Sequence, residues 1–203
     1  MISNSTAIPH PVAVMVSGTG RHLDHLATLA ASGELPIDVR LCLSTRSDIG
    51  ALQHAKRWNI PVQVPDEARE LSPEAYSDLV FSALEQAGVK TLILAGFLRF
   101  LPIPDAWQNR VLNIHPSLLP AFGGAGYYGH RVHDAVLKRG CKVSGCTVHY
   151  VDNVFDHGPI LVQRTCPVLD DDDADRLANR VFLEELIAYP EALRQHLSVQ
   201  ASG

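Results

Sequence analysis

Short apolar runs alternate with helix-period segments along most of this chain, and that alternation limits its fold more than any other feature. Val12–Ser17 (VAVMVS) is a continuous apolar run ending at Gly18, and behind it Leu23, Leu26, Leu29 and Ala30 keep helical spacing. Gly33 and Pro36 stop that helix, and Ile37–Leu43 then alternates like a strand. Ile49–Trp58 reads as a helix and Ile60–Val64 as a short strand. Ser72 is placed as an N-cap, with Pro73 at the first helical position, for a helix reaching about Ala87. Thr91–Ala95 (TLILA) and Arg110–Ile114 are two further strands. Strands buried on both faces read as unbroken apolar runs, so the pattern predicts an α/β domain whose parallel sheet carries helices on both faces.

After residue 120 the pattern loosens. A glycine-rich loop (Phe122–Gly129) leads to a helix near Arg131–Lys138. Strands Ser144–Tyr150 and Ile160–Val168 follow, then a last helix from about Asp173 to His196. The length, 203 residues, without an internal repeat or a long linker, predicts a single domain over 1–203, with residues 1–10 a flexible N-terminal extension.

Charge and composition exclude several function classes. Seventeen Lys and Arg stand against 22 Asp and Glu, a net charge of −5, with the acidic excess in residues 150–203. A chain with no basic block is a poor non-specific binder of nucleic acid. No apolar run reaches the roughly 18 residues that cross a bilayer. The segment MISNSTAIPHP lacks a basic stretch followed by an apolar one, so it does not read as a signal peptide. Cys42, Cys141, Cys146 and Cys166 form no small disulfide framework and read as reduced packing residues of a cytoplasmic protein.

Three segments carry chemistry. Ser17-Gly18-Thr19-Gly20-Arg21-His22-Leu23 ends the first strand. Its glycines allow a tight turn that aims amides at an anion, and Arg21 adds charge. Leu23 stands where a dinucleotide fingerprint needs its third glycine, and the Lys and Ser/Thr of a P-loop are missing, so a single phosphate on a small substrate fits better. Asn113 and His115 sit two apart at the carboxyl end of a strand, on one side, where open α/β sheets bind ligands. An amide donor beside an imidazole suits a developing oxyanion and a proton transfer; taken alone, the pair reads more readily as a turn cap at Asn113 and a structural histidine at His115. In the loop Val151-Asp152-Asn153-Val154-Phe155-Asp156-His157-Gly158-Pro159, an Asp can pair with His115 and fix its tautomer, or serve only as a turn former.

Other readings are weaker. His130, His133, Cys146 and His149 match no standard zinc spacing, so no metal is expected. Ser117 lies in H-P-S-L-L-P rather than in a nucleophile elbow. The acids Asp170–Asp173 are best explained as caps of the helix they precede.

Four segments in order, S-G-T-G at 17–20, L-A-G-F-L-R-F-L at 94–101, N-I-H-P-S-L-L-P at 113–120 and V-D-N-V-F-D-H-G-P-I at 151–160, resemble the folate-dependent phosphoribosylglycinamide formyltransferases. The likeness runs from about Val12 to Pro190. It implies a Rossmann-like formyltransferase fold, mostly parallel with antiparallel strands toward the C-terminus. It also implies that 10-formyltetrahydrofolate is the co-substrate, with Asn113, His115 and Asp156 as the catalytic trio. Asn113 and a protonated His115 would stabilise the tetrahedral oxyanion, while Asp156 holds the His115 proton and helps move one to the departing folate nitrogen. Gly18, Thr19, Gly20, Arg21, His22 and Glu185 match the site of the phosphorylated acceptor; Leu98, Arg99, Phe100, Leu101, Asn113 and Asp152 match the folate site. The chain departs from the family pattern at Arg21-His22, where Ser-Asn is common, at Pro73, where an Arg is common, and at Leu186 after Glu185, where His is common. The loop after Pro120 is longer than in the commonest form. Partners implied are small molecules, with no nucleic acid or membrane, and the chain a monomer or weak homodimer. Rival readings are a different amine acceptor, a hydrolase passing the formyl group to water, and a silent folate-binding module.

Overall fold

The first apolar run becomes an inner strand. In a computed structural model describing residues 8–64 and 71–200, β1 (His10–Val16) is flanked by β2 (Ile37–Ser44) and β4 (Thr91–Ala95), both parallel to it. The two-residue β3 (Val62–Gln63) pairs with β2, and β5 (Val111–His115) runs parallel to β4. β6 (Val143–Tyr150) and β7 (Ile160–Pro167) complete the sheet antiparallel, giving the order β3-β2-β1-β4-β5-β6-β7. The order reverses between β1 and β4, which opens a crevice at their carboxyl ends. There the Ser17 hydroxyl donates to the Gly96 carbonyl and ties the two strand ends together.

Alternation along the strands separates two cores. Val12, Val14 and Val16 face α1 (Arg21–Ala31), α2 (Ala51–Arg57), α4 (His130–Arg139) and α5 (Ala174–Gln200). Ala13 and Met15 face α3 (Pro73–Gln86) and the segment 97–107, where Trp107 packs against Phe81 at 5.0 Å. The helices thus cover both faces unequally, four against one. Ser72 caps α3 by accepting from the Ala75 amide at 3.2 Å, with Pro73 opening the helix, and Asp173 accepts from the Arg176 amide at 2.8 Å ahead of α5.

Some expectations shift. His10 already pairs with Ile37, so the extension expected over 1–10 ends earlier than position 10, and residues 1–7 lie outside the described residues. The expected strand at 60–64 shrinks to 62–63 between Pro61 and Pro65, which supply no amide to a ladder. Asp105–Trp107 forms a 3-10 turn in a stretch for which the sequence pattern predicts no element. α5 contains Pro190, which cannot donate to the Leu186 carbonyl one turn back. The His25 ring of α1 takes that acceptor at 2.9 Å, so a rung missing from one helix becomes a tie to another.

Candidate active site

Asn113 and His115 project from the end of β5 on the face opposite Leu112 and Ile114, which are buried in the core under α5. The antiparallel pairing places His149 of β6 directly across from Asn113. The His149 Nδ1–H donates to the Tyr150 carbonyl at 2.8 Å, which leaves Nε2 to accept from the Asn113 amide at 3.2 Å. Asn113 is therefore held by one N–H and keeps the other for a ligand.

His115 is nearly buried and lies between two acceptors. Its Nε2–H donates to the Phe122 carbonyl at 2.8 Å, and its Nδ1 lies 3.5 Å from Asp156 Oδ2. The ring can donate on both sides only as the imidazolium. Asp156 Oδ2 also accepts the Gly124 amide at 2.9 Å, and Oδ1 lies 3.7 Å from His149 Nε2. Burial alone raises the Asp156 carboxyl, but the His149 ring, the His115 ring and the Gly124 amide outweigh it. The carboxyl sits below its ordinary value and stays ionised. Asp156 adopts φ +52°, a left-handed conformation that aims its carboxylate back at β5.

The turn after His115 is pinned from below. Thr147 donates to the Ser117 carbonyl at 2.7 Å and accepts the Leu119 amide at 3.0 Å, and Gln163 holds the Leu119 carbonyl at 2.9 Å. The Ser117 hydroxyl donates to the Ala121 carbonyl at 2.6 Å, a structural task that agrees with its poor fit as a nucleophile.

Beside this corner an apolar slot opens to solvent. Leu94, Phe97, Phe100 and Leu101 form one wall, Val151, Val154 and Phe155 the other, and Asn113, His149 and Asp156 close the end. The Phe100 and Phe155 rings lie 5.1 Å apart. Asn153 clamps the walls by accepting the Ile103 amide at 2.7 Å and donating to the Ile103 carbonyl at 3.3 Å. An apolar slot ending in a few convergent polar groups fits a flat heteroaromatic ring. Asp152 borders the slot and shapes its loop, accepting from the Val154 amide at 2.9 Å and from His157 at 2.8 Å. In the segment 98–101, whose backbone is expected to hold the folate ring, Leu98 is 56% exposed, while Phe97, just before it, lines the slot. Arg99 reaches the wall, yet its guanidinium stacks 4.1 Å over Tyr76 and donates to the Leu71 carbonyl at 2.7 Å.

At the other end of the crevice, Gly20 caps α1 at φ +77° without a side-chain cap. A Cβ there would lie 2.5 Å from Ala51, so only glycine fits. Gly18 accepts the Ala51 amide at 3.2 Å, and Thr19 bridges the two glycines. Arg21 stacks on Phe182, 3.6 Å from the ring centroid. His22, expected in the acceptor site together with Glu185, lies with Nε2 3.1 Å from Glu185 Oε2, although off-line for a hydrogen bond.

The residues that sequence reasoning missed are His149, Gly124, Phe97, Phe155 and Phe182. His149 could have been found had the register of the two strands after residue 110 been known. Among the described residues no group of three or more His, Cys, Asp or Glu side chains is placed to hold a metal ion, and no helix is long and apolar enough to cross a membrane. All four cysteines are free, and burial pushes the Cys42 thiol up to about 11.

Comparison with known proteins bears on this geometry. The model of the formyl transferase family matches residues 10–193. The chain belongs to the formyl transferase family. Within that family it is 42% identical over 188 residues to a chloroplastic phosphoribosylglycinamide formyltransferase of Vigna unguiculata, covering 90% of this chain and 59% of the relative. It is 41% identical to a trifunctional purine biosynthetic protein of Drosophila melanogaster, covering 90% of this chain and 13% of that one. The chain thus spans about three fifths of the plant relative and a small part of the insect one. Among solved structures, glycinamide ribonucleotide transformylase 1 from Symbiobacterium toebii superposes with a TM-score of 0.86 at 36% identity, covering 93% of this chain and 87% of that one. The family's seven-stranded mixed sheet is the one described above.

Proposed function

We propose that this formyl transferase moves the formyl group of 10-formyltetrahydrofolate to the amine of 5-phosphoribosylglycinamide, a step of purine biosynthesis. The placing of Asn113 and Asp156 at the end of an apolar slot, with His115 held behind them 3.5 Å from Asp156, carries the reading. The names of its relatives support the acceptor. The bound folate supplies the formyl carbon as electrophile, and the slot walls fit its flat ring. The acceptor amine attacks that carbon, the bond to the folate nitrogen breaks, the amine loses a proton and the folate nitrogen gains one. The free N–H of Asn113 and a His115 N–H donate to the formyl oxygen as charge gathers there, for which His115 Nε2 exchanges the Phe122 carbonyl for the formyl oxygen. Asp156, 3.5 Å from the ring's Nδ1, holds the imidazole in place. No metal or nucleic acid enters this reading. It places a monomer or weak homodimer in the cytoplasm, serving small molecules alone.

A spectrophotometric assay with a chromophoric 10-formyl-folate analogue tests the reaction. The expected result is release of deformylated folate only when phosphoribosylglycinamide is present. Release indifferent to the acceptor would identify a hydrolase; silence with both present would point to another amine or to a binding module. His115→Ala is expected to lower turnover by about 100- to 10,000-fold while folate binding persists.

A further inference from the structure

Two adjacent residues of α1, Arg21 and His22, meet one side chain of α5. Phe182 offers its ring face to the Arg21 guanidinium at 3.6 Å, and the His22 ring stands 5.1 Å away at 75° to it. His22 in turn packs at 5.9 Å from Tyr189 and reaches Glu185, one turn along α5 from Phe182. The aromatic ring is thus fixed from two sides. Among the described residues Arg21 makes no ion pair or side-chain hydrogen bond, so the stack is what orients it. Asp24, the acid in the same turn, is committed elsewhere: it accepts from Trp58 Nε1 at 2.7 Å and lies 3.1 Å from His54.

Stacking uses the face of a guanidinium and leaves its in-plane N–H fork free, whereas a carboxylate partner would consume the fork. That fork suits bidentate contact with a phosphate. We infer that Phe182 is a positioning residue whose ring holds the Arg21 guanidinium for the phosphate of the acceptor, making this pair a specificity element for phosphomonoester-bearing amines. This rests on the acceptor site argued above. The pair also supplies the charge at a turn where Arg21-His22 replaces the family's common Ser-Asn.

The test measures KM and kcat for phosphoribosylglycinamide, and binding of ribose 5-phosphate against ribose by calorimetry. Wild type is compared with Arg21→Ala, Arg21→Lys, Phe182→Leu, Phe182→Tyr and the Arg21→Ala/Phe182→Leu double variant. Arg21→Ala is expected to raise KM about 10- to 100-fold, the range of a charge-assisted hydrogen bond, with the effect on KM rather than kcat. Phe182→Leu raises KM about 2- to 5-fold, in line with an exposed cation–π contact, Phe182→Tyr restores it, and the double variant is no worse than Arg21→Ala. Arg21→Lys keeps the charge but loses the fork and stays above wild type in KM.

An equal penalty for Phe182→Leu in the Arg21→Ala background would overturn the inference, because Phe182 would then act without Arg21. Wild-type KM and ribose 5-phosphate affinity in Arg21→Ala would overturn it too. If wild type ignores phosphoribosylglycinamide, the functional reading fails on its own. The ribose 5-phosphate titration of the same variants still decides the role of Phe182, with binding equal to that of ribose counting against it.

Discussion

At the scale of single residues, the corner depends on groups that hold the trio as much as on the trio. His149 has one task that its surroundings define: its Nε2 accepts the Asn113 amide, and its Nδ1 is fixed by the Tyr150 carbonyl. His149→Leu removes that acceptor from the half-buried Asn113 amide and lets the carboxamide turn. It is expected to lower kcat by about 10-fold or more while changing the Kd for folate little, as steady-state kinetics beside a folate titration will show. Asn113, His115 and Asp156 were legible in the sequence because two residues at a strand end share a face, and the paired loop brings an acid. His149 was not, because its partnership depends on which residue stands opposite across an antiparallel pair closed by 27 intervening residues of loop and helix. Leu98 and His22 show a related limit. A motif places a residue in a segment, while local backbone direction decides where its side chain goes, outward for Leu98 and toward Glu185 for His22.

At the scale of elements, helix limits were legible where a cap marks them, as Ser72 does for α3 and Asp173 for α5. β3 was less so, since its length is set by prolines and by what β2 offers. The 3-10 turn at 105–107 has no period to announce it. α5 also does a task that its apolar spacing does not reveal. The buried Tyr189 hydroxyl lies 2.8 Å from the Leu94 carbonyl and 3.0 Å from the Leu112 carbonyl, a wedge between β4 and β5 just before Asn113. Tyr189→Phe removes the one buried hydroxyl that these two carbonyls share. The expected cost is about 1–3 kcal/mol, read as a Tm lower by roughly 2–4 °C per kcal/mol for a chain of this size. Denaturant or thermal melts measure it directly.

At the scale of the whole molecule, the end of the sheet opposite the site carries a buried histidine chain. His10 Nε2 meets the Thr91 hydroxyl at 2.8 Å, Thr91 meets His196 Nε2 at 2.9 Å, and the Tyr150 hydroxyl meets His196 Nδ1 at 3.0 Å, joining β1, β4, β6 and α5. Burial, and then His10 and Arg110, push His196 down to about 4, and burial with Lys90 and Arg110 lowers His10 as well. The unfolded chain therefore takes up these protons first as pH falls. Stability is complete above about pH 6.5 and declines from there toward pH 4, by up to about 1.4 kcal/mol per pH unit for each such histidine. Urea midpoints measured from pH 8 to 4.5 are expected to be level and then fall, with a shallower fall in His196→Gln. That no sequence pattern marks this chain of contacts is unsurprising, since its members come from positions 10, 91, 150 and 196.

Pro190 shapes how the molecule opens. A continuous helix lends each turn to its neighbours, so a fluctuation at one end travels. α5 gives up one internal rung at Leu186 and hands that carbonyl to His25. Its protection from solvent deuterium should then divide at the proline. The stretch beyond Pro190, with Ala192, Leu193 and His196 buried, opens only with the strands it is pinned to, while the stretch bearing Phe182 and Glu185 opens with α1 as a separate block.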